Sequence, residues 1–119
     1  MKTILVVDDF ATLRAAIHLP LKQAGYQVVE AADGQEALEQ LQKTEYKFDL
    51  IITDINMPRL SGIELIKGAR NIERYQHVPI ITVTTQTGED ILLKAGATAY
   101  LQKPFEAARL LAIVKKLIR

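Results

Sequence analysis

The chain has 119 residues, of which 49% are hydrophobic and 24% charged, with a formal net charge of +1 and no cysteine. This composition is that of one ordinary globular domain, and it excludes disordered proteins, disulfide scaffolds and thiolate metal sites. The charge gives no reason to expect nucleic acid or a membrane surface as a partner, and no apolar run approaches membrane-spanning length.

Strand and helix signals alternate along the chain. A short apolar run at residues 4–7 predicts a strand, and apolar residues at helical spacing over 13–24 predict a helix that Gly25 ends. Pro20 lies inside this helix, where we expect a kink or a missing hydrogen bond. Further strands are predicted at 28–29, 48–53, 78–83 and 99–102, separated by helices around 37–41, 61–69 and 87–95, with a last helix at 105–118. Ser61 and Glu64 match a capping box at the start of the third helix.

This alternation predicts an α/β fold, in which a five-stranded parallel sheet carries helices on both faces. In such sheets, ligands bind beyond the carboxyl ends of the strands. The residues at those ends are Asp8 and Asp9 after the first strand, Asp54 after the third, Thr84 after the fourth and Lys103 after the fifth.

Three carboxylates at one edge of a sheet repel one another unless a cation or a partner group makes use of them. Carboxylate oxygens suit Mg²⁺, and an aspartate in such a site can also be a nucleophile toward a phosphoryl group. The simpler alternative is that Asp8 and Asp9 form a turn or a helix cap, while Lys103 is a solvated surface residue and Thr84 is chosen for strand propensity.

Several short motifs follow one another in a fixed order. They are Asp8-Asp9-Phe10, Asp54-Ile55-Asn56-Met57-Pro58 with Gly62 four residues on, Thr84, Ala95-Gly96-Ala97 and Tyr100-Leu101-Gln102-Lys103-Pro104-Phe105. Together they resemble the receiver domain of bacterial two-component response regulators over nearly the whole chain, so we expect residues 1–119 to form one receiver domain. The resemblance implies the flavodoxin-like (βα)5 fold with strand order 2-1-3-4-5.

The resemblance also implies the chemistry of the site. Asp54 is expected to be phosphorylated in a Mg²⁺-dependent reaction. Asp9, Asp54 and the backbone carbonyl of Asn56 are expected to ligate the metal ion directly, and Asp8 largely through water.

Further roles follow from the same resemblance. Thr84 and Lys103 are expected to bind the phosphoryl oxygens, and Tyr100 to turn inward as Thr84 moves. The Lys103–Pro104 bond is expected to be cis. Asn56, Gln86 and Thr85 occupy positions that tune hydrolysis of the acyl phosphate.

The resemblance implies two protein partners. A sensor histidine kinase is expected to donate the phosphoryl group. The stretch from Asp8 to Arg14 resembles single-domain chemotaxis regulators, so the expected output partner is a flagellar switch protein. It is expected to bind the surface made by the fourth helix, the fifth strand and the last helix. We expect a cytoplasmic monomer without a fused output domain; a phosphorelay or another non-motility output is the alternative.

Two features depart from the family pattern. The segment between Thr84 and Lys103 is a few residues shorter than usual, which bears on the partner surface. Thr85 stands where a smaller residue is common, and it should restrict access to the phosphosite and slow turnover.

Two other functional classes fit less well. An aspartate-nucleophile phosphatase needs an Asp-x-Asp arrangement and a cap domain, whereas the acids here are adjacent. A flavin-binding electron carrier needs a phosphate-binding loop after the first strand, where Asp8-Asp9 would repel a phosphate.

Overall fold

Strands and helices alternate along the chain, as the sequence predicts. The computed structural model describes residues 1–43, 45, 47–85 and 95–118. The strands are β1 (Thr3–Val7), β2 (Gln27–Ala31), β3 (Leu50–Asp54), β4 (Ile80–Thr84) and β5 (Ala99–Gln102). The described α-helices are α1 (Ala11–Gln23), α2 (Gly34–Gln42), α3 (Gly62–Arg70) and α4 (Ala107–Leu117), and a 3₁₀ turn spans Glu73–Tyr75.

The five strands form one parallel sheet in the order β2-β1-β3-β4-β5. This confirms the predicted fold class and strand order. Every residue of β1, β3 and β4 is buried, because these strands are inside the sheet and covered on both faces. The edge strands β2 and β5 are partly exposed.

Helices cover both faces of the sheet and make two separate cores. On one face, α2 and α3 pack against a cluster that includes Leu5, Ile51, Leu65 and Tyr75. On the other face, α1 and α4 pack together over a cluster that includes Ile52 and Leu110. No helix in the described part of the chain is long and apolar enough to cross a membrane.

Local signals in the sequence define the helix ends. The capping box of α3 is present: the Ser61 hydroxyl accepts from the Glu64 N–H, and the Glu64 carboxylate accepts from the Ser61 N–H. Gly25 follows α1 with a φ of +98°, which a residue without a side chain adopts readily. Pro20 lies inside α1, where its lack of an N–H removes one helical hydrogen bond.

Several predicted boundaries are wrong by about two residues, and β2, predicted at 28–29, spans Gln27–Ala31. Phe48 and Val78 are buried, but β3 begins at Leu50 and β4 at Ile80. Burial made these residues look like strand, although they precede the hydrogen-bonded ladder. The last helix begins at Ala107, because Glu106 is its extended N-cap residue. The predicted helix at 87–95 cannot be compared with the structure, because residues 86–94 lie outside the described residues. Only its last position, Ala95, is described.

Candidate functional site

Carboxylates from two neighbouring strands meet at one edge of the sheet. β1 and β3 pair in parallel with Val7 opposite Thr53, so the residues that follow them lie side by side. Asp8, Asp9 and Asp54 each offer a carboxylate oxygen, and these three oxygens lie within 4.8 Å of one another. The structure therefore brings together the three acids that the sequence placed at the strand ends.

Lys103 follows β5 and reaches back over the acids. Its Nζ lies 3.5 Å from Asp8 Oδ2 and 3.4 Å from Asp54 Oδ1. Its backbone N–H donates to the Thr84 carbonyl at 2.8 Å, which fixes the end of β5 beside the end of β4. The Lys103–Pro104 bond is cis, as the resemblance implies. The solvated-surface alternative for Lys103 is wrong, since its side chain is only 13% exposed.

Asp8 is fully buried, and its environment acts on its ionisation in both directions. Burial raises the pKa of the Asp8 carboxyl, and the nearby Asp54 charge adds to this rise. The Phe10 N–H, which donates to Asp8 Oδ1 at 2.9 Å, and the Lys103 ammonium lower it, but the net pKa is raised. The turn alternative for Asp8 is thus partly correct. Its Oδ1 accepts a hydrogen bond from the backbone of the turn, while its Oδ2 faces Lys103.

Asp9 carries the observation that bears most directly on a metal ion. Its Oδ1 is buried and has no hydrogen-bond partner among the described residues. A buried carboxylate oxygen without a donor is unfavourable in a folded protein unless something else satisfies it. Hard oxygen ligands from three carboxylates suit Mg²⁺, so the residues present fit this ion.

Asp54 ends β3 with one oxygen engaged and the other available. Its Oδ1 accepts from the Ile55 N–H at 2.8 Å and also faces Lys103. Its Oδ2 makes no hydrogen bond within the described part of the chain. Asn56 is exposed two residues further on, where its backbone carbonyl could be a ligand.

A glycine closes the loop after Asp54. The Gly62 N–H donates to the Ile55 carbonyl at 2.8 Å. A Cβ at Gly62 would lie 2.1 Å from the Asp54 backbone oxygen, so no larger residue fits there.

The remaining predicted residues lie around this centre. Thr84 ends β4 and is buried, whereas Thr85 is exposed and lines a groove shared with Leu13 and Phe105. Tyr100 lies on β5 and is 36% exposed, beside a second pocket that Pro104 and Arg109 line. Gln86 lies outside the described residues.

Sequence reasoning missed the polar residues that support the site. Arg14 on α1 donates to the Asp8 carbonyl at 2.6 Å and to Glu30 at 2.9 Å, and Glu30 also contacts His18 Nδ1 at 2.6 Å. These contacts lower the pKa of Glu30, with His18 making the largest contribution. An arginine on a helix looks like a solvated residue, and no local pattern reveals that it contacts Asp8.

The whole chain is similar to known signalling proteins. A sequence model of the family described as "Response regulator receiver domain" matches residues 4–115. The chemotaxis protein CheY-3 of Vibrio cholerae is 39% identical over 111 residues, which cover 90% of this chain and 84% of that protein.

Two solved structures are similar over almost their full length. The chemotaxis protein CheY4 of Vibrio cholerae superposes with a TM-score of 0.93 at 38% identity, covering 99% of both chains. The receiver domain of sensor histidine kinase PA1611 from Pseudomonas aeruginosa, solved with a magnesium ion coordinated in its active site cleft, has a TM-score of 0.89 at 32% identity. That alignment covers 98% of this chain and 97% of the other.

Proposed function

Because this chain belongs to the response regulator receiver family, and is a signalling domain of the CheY-like type rather than a classical enzyme, we propose that it is switched by phosphorylation of Asp54. The observation that carries this proposal is the position of the Asp54 carboxylate. It ends β3 with Lys103 Nζ 3.4 Å away and with the carboxylates of Asp8 and Asp9 beside it. The proposed nucleophile, the Lys103 ammonium and the pair of acids, Asp8 and Asp9, therefore lie together at one edge of the sheet.

In the proposed reaction, a carboxylate oxygen of Asp54 attacks the phosphorus of a phosphohistidine on a sensor histidine kinase. The P–O bond forms as the P–N bond breaks, and the imidazole leaves with the electron pair and takes up a proton. The Lys103 ammonium offsets the negative charge on the phosphoryl oxygens, and the Thr84 hydroxyl is the second group proposed to bind them. Water later hydrolyses the acyl phosphate and returns the free carboxylate.

A Mg²⁺ ion is proposed to be held by Asp9, Asp54 and the Asn56 carbonyl, with Asp8 acting through water. When bound, the ion offsets charge on the phosphoryl oxygens and screens the repulsion between the carboxylates. The Oδ1 of Asp9, which is buried and has no hydrogen-bond partner in the described part of the chain, supports this assignment. The magnesium ion in the similar PA1611 receiver domain supports it as well. The Asp8 carboxyl, which Lys103 already contacts, is suited to an outer role.

The output is proposed to be a change of partner affinity through Thr84 and Tyr100. Phosphorylation draws the Thr84 hydroxyl toward Asp54, and the Tyr100 ring turns inward from its partly exposed position on β5. The altered surface includes β5 and the last helix, which is α4. The proposed partner is a flagellar switch protein in the cytoplasm. The chemotaxis proteins among the relatives support this context; a phosphorelay output is the alternative.

The acceptor is tested by incubating the protein with Mg²⁺ and acetyl phosphate and measuring its intact mass. We expect one phosphoryl adduct that forms only with Mg²⁺ and is absent in Asp54→Asn. An adduct that persists in the variant, or one that never forms in the parent, would disprove the assignment of Asp54.

The output is tested with the phosphorylated protein. For the motility assignment, binding to a flagellar switch protein must be tighter with phosphorylated than with unmodified protein. Phosphoryl transfer onward to a histidine-containing domain, without any change in that binding, favours the phosphorelay alternative.

A further inference from the structure

The loop between β3 and α3 contains a strained turn. Arg59 has a φ of +69°, and the Leu60 N–H donates to the Pro58 carbonyl at 2.8 Å. A three-residue turn with positive φ at its centre is rare, and it is strained for a residue with a side chain. Such a conformation persists only where the surrounding structure holds it.

The N-terminus of α2 holds this turn from outside the loop. Arg59 Nη1 donates to Asp33 Oδ2 at 3.2 Å, and the Asp33 side chain is only 11% exposed. Asp33 is itself fixed, because its Oδ1 accepts from the Glu36 N–H at 2.8 Å as the N-cap of α2.

The backbone contact beside this ion pair is equally close. A Cβ at Gly34 would lie 2.2 Å from the Leu60 carbonyl oxygen, so the turn is packed directly on the first residue of α2. The Gly62–Ile55 hydrogen bond closes the two ends of the loop. Asn56 therefore lies in a segment that is closed at its ends and held in the middle.

We propose that Asp33 and Arg59 are positioning residues for the metal site: their ion pair keeps the strained turn in place and thereby keeps the Asn56 carbonyl in the position from which it would hold the metal ion. This inference rests on the proposed function, in which that carbonyl is a Mg²⁺ ligand. Neither side chain is proposed to contact the ion. Groups that orient ligands from outside commonly change metal affinity about tenfold or more when they are lost.

The charges of the two residues provide a way to separate this role from a general electrostatic effect. If the charges acted only through space, loss of the positive Arg59 would strengthen Mg²⁺ binding and loss of the negative Asp33 would weaken it. If the two residues act by holding the loop, loss of either one weakens binding. The sign of the Arg59 effect is therefore decisive.

The experiment measures the Kd for Mg²⁺ by titration calorimetry, together with the Tm, in Asp33→Ser, Arg59→Met and the double variant. Serine keeps an N-cap acceptor for α2 but does not reach Arg59. Methionine removes the charge and the ion pair but keeps a side chain at the positive-φ position, so the strained turn loses the contact that holds it. Arg74→Gln is the matched control, because Arg74 donates to the Lys43 carbonyl at the opposite end of α2.

We expect about a tenfold loss of Mg²⁺ affinity in each single variant, little further loss in the double variant, and unchanged affinity in Arg74→Gln. A lower Mg²⁺ affinity in Arg59→Met, measured well below its Tm where the variant is folded, is a result that a purely structural role does not produce. Unchanged or tighter Mg²⁺ binding in Arg59→Met overturns the inference. If the parent itself binds no Mg²⁺, the metal part of the proposed function fails and the inference fails with it. That result is distinct, because the parent then fails as well as the variants.

Discussion

At the scale of single residues, Asp8 makes the metal-free protein less stable at neutral pH than it could be. Its carboxyl has a raised pKa, mainly because it is buried, so folding favours its protonated form over the charged one. The stability that protonation provides is fully present below the ordinary value of 3.8 and is lost as the pH rises through the raised pKa. At pH 7 the charged carboxylate is therefore a cost to folding.

Asp8→Asn should remove that cost. The amide oxygen can still accept from the Phe10 N–H, while the charge that repels Asp54 is gone. We expect the metal-free variant to melt about 4 °C higher at pH 7, as a gain of about 1 kcal/mol would produce in a domain of this size. The gap between the variant and the parent should shrink as the pH falls toward 4. Thermal unfolding with a chelator present measures the Tm difference at pH 7 and its decrease toward pH 4. A variant less stable than the parent at pH 7 would show that the charged Asp8 carboxylate is not a cost to folding.

Lys103 is the cation that Asp8 and Asp54 share, and its removal should separate phosphoryl acceptance from switching. Lys103→Ala leaves the nucleophile in place, so acetyl phosphate should still modify Asp54 in the presence of Mg²⁺. The gain in partner affinity on phosphorylation should fall about tenfold, because no ammonium links the phosphoryl group to the end of β5. Binding assays with the phosphorylated and unmodified forms of the variant and of the parent measure this gain in affinity. A gain as large in the variant as in the parent rejects the switching role of Lys103.

At the scale of secondary-structure elements, the junction between β3 and α3 tolerates no added atom. Gly62→Ala should destabilise the domain by about 2–3 kcal/mol, because the new Cβ meets the Asp54 carbonyl and the first turn of α3 must move. The same shift should slow phosphorylation of Asp54. Urea unfolding and the acetyl phosphate assay provide the two measurements.

Gly68→Ala is the matched control for this prediction, since it lies in the same helix. There the new Cβ approaches only the Leu38 side chain, at 3.0 Å, which can shift, and alanine favours the helix. The control should stay within about 1 kcal/mol of the parent. Equal losses in the two variants would mean that the close contact with Asp54 is not the cause.

The elements were predictable from sequence to the extent that burial and periodicity determine them. Continuous apolar runs revealed β1, β3 and β4, and the acids at the ends of two of them predicted the site. The strand order came from the family resemblance, because periodicity does not say which strands are neighbours. The contacts of Arg14 with Asp8 and of Arg59 with Asp33 could not be predicted, since they depend on how α1 and α2 pack. Strand starts were wrong where buried residues such as Phe48 precede the ladder.

At the scale of the whole molecule, Arg70 joins three parts of the chain at one point. Its guanidinium donates to the carbonyls of Tyr75 and Val78, which precede β4, and to that of Gly96, which precedes β5. Burial lowers the pKa of this guanidinium. The residue thus ties the end of α3 to the starts of two strands.

Arg70→Met should lower the free energy of unfolding by about 3 kcal/mol, because three carbonyls lose a charged donor while the length of the side chain is kept. Lys67→Met on the exposed side of the same helix is the control, and it should change stability by no more than about 0.5 kcal/mol. Urea denaturation compares the two variants. A loss no larger than that of the control would show that the hydrogen bonds from Arg70 to the three carbonyls contribute little.

The ion pair between Lys103 and Asp8 joins residues separated by 95 positions in the sequence, and its consequence concerns the order in which the chain folds. During synthesis, Asp8 and Asp54 emerge long before Lys103, so β1 and β3 can pair before the Lys103 ammonium is available to the acids at their ends. The contact is complete only when β5 has docked at the edge of the sheet. A partly folded chain should therefore be unable to respond to a kinase as the finished domain does, and competence to signal would itself report that the last strand is in place.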